Sequence, residues 1–296
     1  MKILLDTRDL INAMERGLPI SADELETYLR AGNHEVVLSN TSVREFAGPL
    51  ARGGDFMRLR PLLQRLESIP HTYVKEVTIV AEELAAAAES FLVGGEPADI
   101  RPFVDRWDRT MLPLRDGRPG IGSMLVGLRL DEIVHAIYRS DAQLFAPLER
   151  YTPALRALLN ADRELLRTGQ APAREQFVRS VKKHAARHGV RLPEGREDEF
   201  GEWIYANPDR CPGLRLSIEV FRALTANYGD LPEPSDFGDL SQIFVVPYVD
   251  VATLDNRIRA YVRSASRKIV RMGGTHNFIE RIFGNVSDVV AAFPTP

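Results

Sequence analysis

Two short apolar runs, one near each end of the chain, each lead into an aspartate. Met1-Lys2-Ile3-Leu4-Leu5 runs into Asp6, and Val249-Asp250-Val251-Ala252-Thr253 runs through Leu254 into Asp255. Runs this short and this apolar read as buried strands, because a core helix needs about ten residues or more. A third strand is expected over Glu35 to Leu38. Between the first and third, residues 8–18 are weakly helical, and Ser21-Ala22-Asp23-Glu24 is a capping box opening a better helix that Gly32 stops. Ser39, Asn40, Thr41 and Ser42 are cap-type residues, and the helix they open carries Glu45 and Phe46 on its first turn. Strand, helix, strand and helix within the first 48 residues open an α/β sheet.

The texture changes after Gly48-Pro49. From about 55 to 230 the pattern is mostly helical, with almost no strand signal. Leu59, Leu62, Leu63 and Leu66 keep helical spacing, and residues 123–139 and 154–167 also read as helices. Gly94-Gly95, residues 117–122, Leu192-Pro193 and Cys211-Pro212-Gly213 separate these blocks. Strand character returns late: a short helix over 236–248 with a turn at Pro247, the strand before Asp255, a basic helix over 257–271, and a last short strand over 280–283. No repeat period is evident. The expected fold is therefore α/β, an open parallel sheet flanked by helices. Residues 1–50 and 231–296 form a discontinuous core, and 51–230 a large, mainly α-helical insertion.

Composition excludes little. The 296 residues are 44% hydrophobic and 27% charged, with 38 basic and 41 acidic side chains and a net charge of −3. Global charge therefore does not announce nucleic acid or a membrane. One cysteine, Cys211, allows no internal disulfide and suits a reducing cytoplasm. The apolar run at the N-terminus is too short for a signal peptide, and no stretch approaches the length of a membrane span.

Ligand sites in open α/β sheets collect at the C-terminal ends of the strands. Asp6 and Asp255 both lie there. Glu45 follows the second strand, and Asp239 begins the helix before the late one, so all four are expected to face one crevice. Carboxylates gathered in this way repel one another and take up protons unless a cation compensates. A hard divalent ion, Mg²⁺ or Mn²⁺, prefers such oxygen ligands. It can activate water against a phosphodiester, and two such ions can clamp both the attacking and leaving oxygens.

Asp6 in ILLDT, Glu45 in SNTSVREF, Asp239 in SDFGDLSQIFVVPYVD and Asp255 in VATLDNR resemble the four acidic motifs of the PIN-domain superfamily. The resemblance covers roughly 1–48 and 232–290. It implies a PIN-like open parallel sheet, Mg²⁺ or Mn²⁺, and a metal-dependent endoribonuclease. Toxin–antitoxin or defence systems, with an antitoxin or another protein partner, are within the family's range. Asp6, Glu45 and Asp239 would be metal ligands and Asp255 a fourth or a water-mediated one. Asp236 and Asp250 are lesser candidates. Two departures stand out: the long separation of Glu45 from Asp239, and Gln242 where related long members often carry a histidine. A catalytically inactive PIN-like module that binds RNA or protein is the alternative. Arg8 follows Asp6 by two residues where a haloacid-dehalogenase-type phosphohydrolase would need a second Asp. Homo-oligomer formation, the RNA target and cutting of DNA stay open.

Structural roles compete at each position. Asp6 and Asp255 can be turn or cap residues. Ser42-Val43-Arg44-Glu45 is itself a capping box, and Asp239 can be an N-cap with Asp236 as the ligand. Asp250 can simply face solvent. The helix over 257–271 carries Arg257, Arg259, Arg263, Arg267, Lys268 and Arg271 without an acidic residue, which suits phosphate contacts or a solvated face equally. Residues 174–191 hold Arg174, Arg179, Lys182, Lys183, Arg187 and Arg191 against Glu175, a solvated helix before an RNA track. His184 and His188 have the i,i+4 spacing of a zinc pair, with no third ligand beside them. Residues 116–122 (DGRPGIG) lack the Lys-Ser/Thr of a phosphate-binding loop. Cys211 has no histidine partner beside it, and Trp107 and Trp203 read as packing anchors.

Overall fold

The structure is a computed structural model, and it describes residues 1–295 except 18, 77, 111–125, 141–147, 169–172, 232 and 234. The 116–122 loop and the start of the 123–139 helix lie outside the described residues. Among the described residues the strands are β1 Lys2–Leu4, β2 Glu35–Leu38, β3 His71–Val74, β4 Phe103–Val104, β5 Val251–Thr253 and β6 Ile282–Phe283. They form one sheet in the order β4-β3-β2-β1-β5-β6. All neighbours are parallel except β3–β4, which is antiparallel. The chain is thus an α/β protein with a mostly parallel sheet.

The early helices are α1 Thr7–Ile11, α2 Ala22–Ala31, α3 Asn40–Phe46, α4 Gly48–Ala51, α5 Phe56–Ser68 and α6 Ile79–Val93. Then come α7 Leu130–Ser140, α8 Thr152–Arg167, α9 Ala173–His188, α10 Glu197–Ala206 and α11 Pro212–Ala226. The late helices are α12 Asp236–Gln242, α13 Asn256–Arg271 and α14 Val286–Ala292.

Side chains alternate across the sheet, as the pleat requires. Ile3, Val36, Leu38, Tyr73 and Val251 pack against α2, α3, α5 and α7 on one face. Leu4, Val37, Val74 and Ala252 pack against α11, α13 and residues 243–249 on the other. With both faces covered, the central strands are continuous apolar runs. A further core lies away from the sheet, where α6, α9, α10 and α11 meet around Leu84, Phe177, Phe200 and Leu214.

Several local expectations hold. Ser21 and Glu24 form the capping box, and Gly32 ends α2. Three differ. The stretch read as mostly helical, with almost no strand signal, supplies β3 and β4, so the sheet extends past residue 50. β3 is the four-residue run His71-Thr72-Tyr73-Val74, held by pairing with β2 rather than by any alternation of its own. Glu45 sits in the last turn of α3, not the first. The capping hydroxyl is that of Ser39, which accepts from the Ser42 N–H at 2.9 Å, so the box at Ser42 does not form.

Two buried carboxylates fix the helical layer to the sheet. Glu83 on α6 is 1% exposed and accepts from the N–H groups of Gly213 (2.5 Å) and Leu214 (2.9 Å) and from the Tyr248 hydroxyl (2.5 Å). It thereby satisfies donors at the start of α11 that no helical carbonyl can reach. Burial raises its pKa to about 7, against the lowering effect of those donors. Glu83→Ala leaves three donors buried without a partner. We expect a loss of about 2–4 kcal/mol in urea melts; a loss below about 0.5 kcal/mol would remove this anchor from the account. The second carboxylate, Glu219 on α11, is 2% exposed and contacts Arg215, Arg222 and Lys268. Arg163 closes the other end of α11 by donating to the carbonyls of Thr225, Asn227 and Asp230.

Candidate metal centre

The chain leaves β1 outward through β2 and β3, then returns to β5 on the other side of β1. The order therefore reverses between β1 and β5, and a crevice opens beyond their C-terminal ends. Asp6 and Asp255 stand there. The Asp6 N–H donates to the Thr253 hydroxyl at 2.7 Å, which ties the end of β1 to the end of β5.

The capping role and the site role coincide in both aspartates. Asp6 Oδ1 accepts from the Arg8 N–H at 2.8 Å and starts α1. Asp255 Oδ1 accepts from the Ile258 N–H at 2.8 Å and starts α13. Each cap uses one oxygen. Among the described residues Asp6 Oδ2 has only the exposed Arg8 guanidinium, at 3.8 Å. Burial raises the Asp6 pKa; Arg8 lowers it and Asp255 raises it.

Asp239 lies in the first turn of α12, but the helix begins at Asp236 behind Ser235, and no side chain caps it. Among the described residues the Asp239 carboxylate makes no hydrogen bond or ion pair. Its pKa is pushed up to about 8, by burial first and then by the charges of Asp6, Asp255, Glu45 and Asp236. Asp239 thus lies within electrostatic reach of each of the other three expected carboxylates, and it bears the repulsion. Glu45 and Asp239 are held in relation by hydroxyls. Thr41 on α3 hydrogen-bonds Glu76 just beyond β3 (2.6 Å) and Ser241 on α12 (2.8 Å).

The lesser candidates fall elsewhere. Asp236 is 1% exposed and engaged by Arg257 and by the Glu233 N–H at 2.7 Å, a buried structural pair. Asp250 precedes β5 and accepts from the Lys2 N–H at 2.7 Å, at the opposite end of the sheet from Asp255. Gln242 is 5% exposed at the end of α12. On α13, Arg257 is bound to Asp230 and Asp236, and Lys268 to Glu219, so these two do not present free charge. Arg259, Arg263 and Arg267 have no carboxylate partner among the described residues.

The sequence did not single out Asp9, Glu76 or Arg8 for the site. Asp9, one turn after Asp6, is 2% exposed, and its Oδ2 has no hydrogen-bond partner among the described residues. Burial raises its pKa, the Thr253 hydroxyl lowers it, and Asp6 raises it. Glu76 is raised by burial against the hydroxyls around it. Arg8 and Arg259 both approach Gly284 at the end of β6, and Arg8 also stands beside Asp6. The helical periodicity of Asp6 and Asp9 was the available signal for Asp9; the partners of the others are too distant in sequence to read.

Compared with protein-family models, with curated proteins and with solved structures, the chain has no significant match in any of the three.

The chemistry of the donor set fits a hard divalent cation. Every candidate ligand is a carboxylate oxygen, and an added positive charge relieves the repulsion centred on Asp239. Among the described residues no group of three or more His, Cys, Asp or Glu side chains stands ready-assembled as a metal site, and this includes His184 and His188. Occupation therefore requires the carboxylates to draw together.

Proposed function

We propose that the protein is a metal-dependent ribonuclease with a PIN-like core, in which Asp6, Glu45, Asp239 and Asp255 hold Mg²⁺ or Mn²⁺. The observation that carries this reading is topological. Asp6 and Asp255 lie just beyond adjacent parallel strands where the strand order reverses, and Asp239 feels the charges of both and of Glu45. The order and placement of the four acids match the motifs that resemble the PIN-domain superfamily.

When bound, the cation supplies Lewis-acid stabilisation of a phosphodiester oxygen and a more acidic water. The protein's part is positional. Asp6 and Asp255 are fixed by their caps, each of which uses one carboxylate oxygen. Thr253 holds the ends of β1 and β5 together, and the Thr41–Ser241 contact sets α3 against α12. Asp239, whose proton is held up to about pH 8, would have to lose it to serve as a ligand. Arg8 and Arg259 at the rim attract the RNA backbone without reading bases.

The reading predicts Mn²⁺-dependent cleavage of single-stranded or structured RNA that EDTA abolishes. Asp6→Asn should lower the rate by about a hundredfold or more, because it removes a ligand that no neighbour replaces. The internal engagement of Arg257 and Lys268 favours a second reading, a PIN-like module that binds RNA or a protein without cutting. RNA retention without cleavage, in highly purified wild type and in Asp6→Asn alike, would establish that second reading.

A further inference from the structure

A second site with opposite chemistry lies in the helical layer. A cavity of about 410 Å³ opens between α8, α9 and α11. This falls within the size range of small-ligand pockets. Leu158, Leu165, Ile218 and Phe221 make one wall apolar. Arg179, Lys183 and Arg187 stand at i, i+4 and i+8 on α9, one stripe of a helix, and Arg222 joins them from α11.

Like charges at this spacing destabilise a helix. Among the described residues, Arg179 and Lys183 form no ion pair, and the carboxylates of the lining and its edge are Asp162 and Glu219. Asp162 on α8 lines the cavity and feels Arg179 and Lys183. Glu219 contacts Arg222 but is shared with Arg215 and Lys268. Two polar atoms in the same lining, Gln176 Nε2 and His184 Nδ1, are buried without a hydrogen-bond partner among the described residues. Buried polar atoms are rarely left so unless something else satisfies them.

We infer that this cavity binds a nucleoside di- or triphosphate, with its phosphates on the α9 stripe and Arg222 and its base against the Leu158–Phe221 wall. The combination excludes simpler ligands. A fatty acid carries one charge and leaves Gln176 and His184 unsatisfied. A phosphosugar leaves the apolar wall unused. A planar base with polar edges meets both requirements, and Ser180 and Ser217 add hydroxyls to the lining. His184 is neutral, its pKa pushed down to about 4 by burial first and then by the neighbouring His188, Arg187 and Lys183, so it can donate or accept toward a base edge. This site is independent of the acidic crevice.

Isothermal titration of the full chain in EDTA tests the inference, since EDTA removes any cation that could hold a phosphate at the acidic crevice. Adenosine, AMP, ADP, ATP, GTP, inorganic phosphate and a short RNA are the probes. Affinity should rise with phosphate number, and a nucleotide should bind more tightly than inorganic phosphate. Arg179→Ser with Lys183→Ser should weaken ATP binding by about tenfold or more. Both side chains are exposed, so the melting temperature should not move. Binding should persist in Asp239→Asn. No heat with any nucleotide, affinity unchanged in the double variant, phosphate binding as tightly as ATP, or binding of RNA alone would each overturn it.

Discussion

Asp239→Asn should make the metal-free protein more stable, while abolishing its response to divalent ions. Burial and the charges of Asp6, Asp255, Glu45 and Asp236 raise this carboxyl from 3.8 to about 8. A pKa raised on folding means that the folded state binds the proton more tightly than the unfolded chain. The associated stability is fully present below about 3.8 and is lost as pH rises through about 8. Asparagine has the same shape and no charge to lose. In EDTA the variant and the wild type should therefore melt together near pH 4. They should separate as pH rises, reaching about 2–4 kcal/mol in the variant's favour by pH 8.5. For a chain of this size that is roughly 5 °C or more in melting temperature. Manganese should reverse the order, because a cation that binds only the folded wild type stabilises it by mass action. It should also release a proton from the wild type, seen as a buffer-dependent heat in calorimetry. An asparagine variant less stable than wild type at every pH would show that Asp239 is not held against repulsion.

Glu219→Ala should produce the largest loss of stability of any single change at a carboxylate. The side chain is 1% exposed, with the Lys268 Nζ at 2.5 Å, Arg222 at 3.3 Å and Arg215 at 3.4 Å. Arg215 is itself fully buried and stacks on Phe177 and Tyr205, with ring centroids at 4.3 and 5.0 Å. Removing one partner of a buried ionic group leaves uncompensated charge, at about 3–5 kcal/mol. Lys268 has its pKa lowered by burial, which Glu219 opposes, so it should shed its proton more readily in the variant. Replacing both charges, Arg215→Met with Glu219→Leu, should recover much of the loss. Urea melts of these two variants and the wild type give the comparison. A loss below about 1 kcal/mol for Glu219→Ala would mean that the network contributes no more than a surface pair. The effect reaches function through α13: Lys268 lies on the helix that Asp255 caps, so loosening α11 from α13 loosens the second strand-end acid.

The sequence made the ends of the chain legible because each apolar run stops on a polar residue with a structural reason to be there. Asp6 and Asp255 are N-caps, and the same geometry that starts a helix aims a carboxylate over the sheet edge. The Ser21–Glu24 box was equally local and equally readable. β3 was not, since four residues without alternation declare themselves only through β2. The place of Glu45 was missed because Ser39, not Ser42, won the cap, and the helix began one turn earlier. Composition alone could not show that Arg257 and Lys268 of the basic helix face inward partners, Asp236 and Glu219. Their pairing depends on chain segments brought together only by the fold, as does the buried contact of Glu83 with Gly213 and Leu214.

The most direct test of the acidic crevice is a crystal of the wild-type protein soaked in Mn²⁺ above pH 8 and measured at the manganese edge. The account predicts anomalous density bounded by Asp6, Asp239 and Asp255, with carboxylate oxygens about 2 Å from the ion and Glu45 directly or through water beside it. No manganese at that place, with the carboxylates still spread apart, would contradict it.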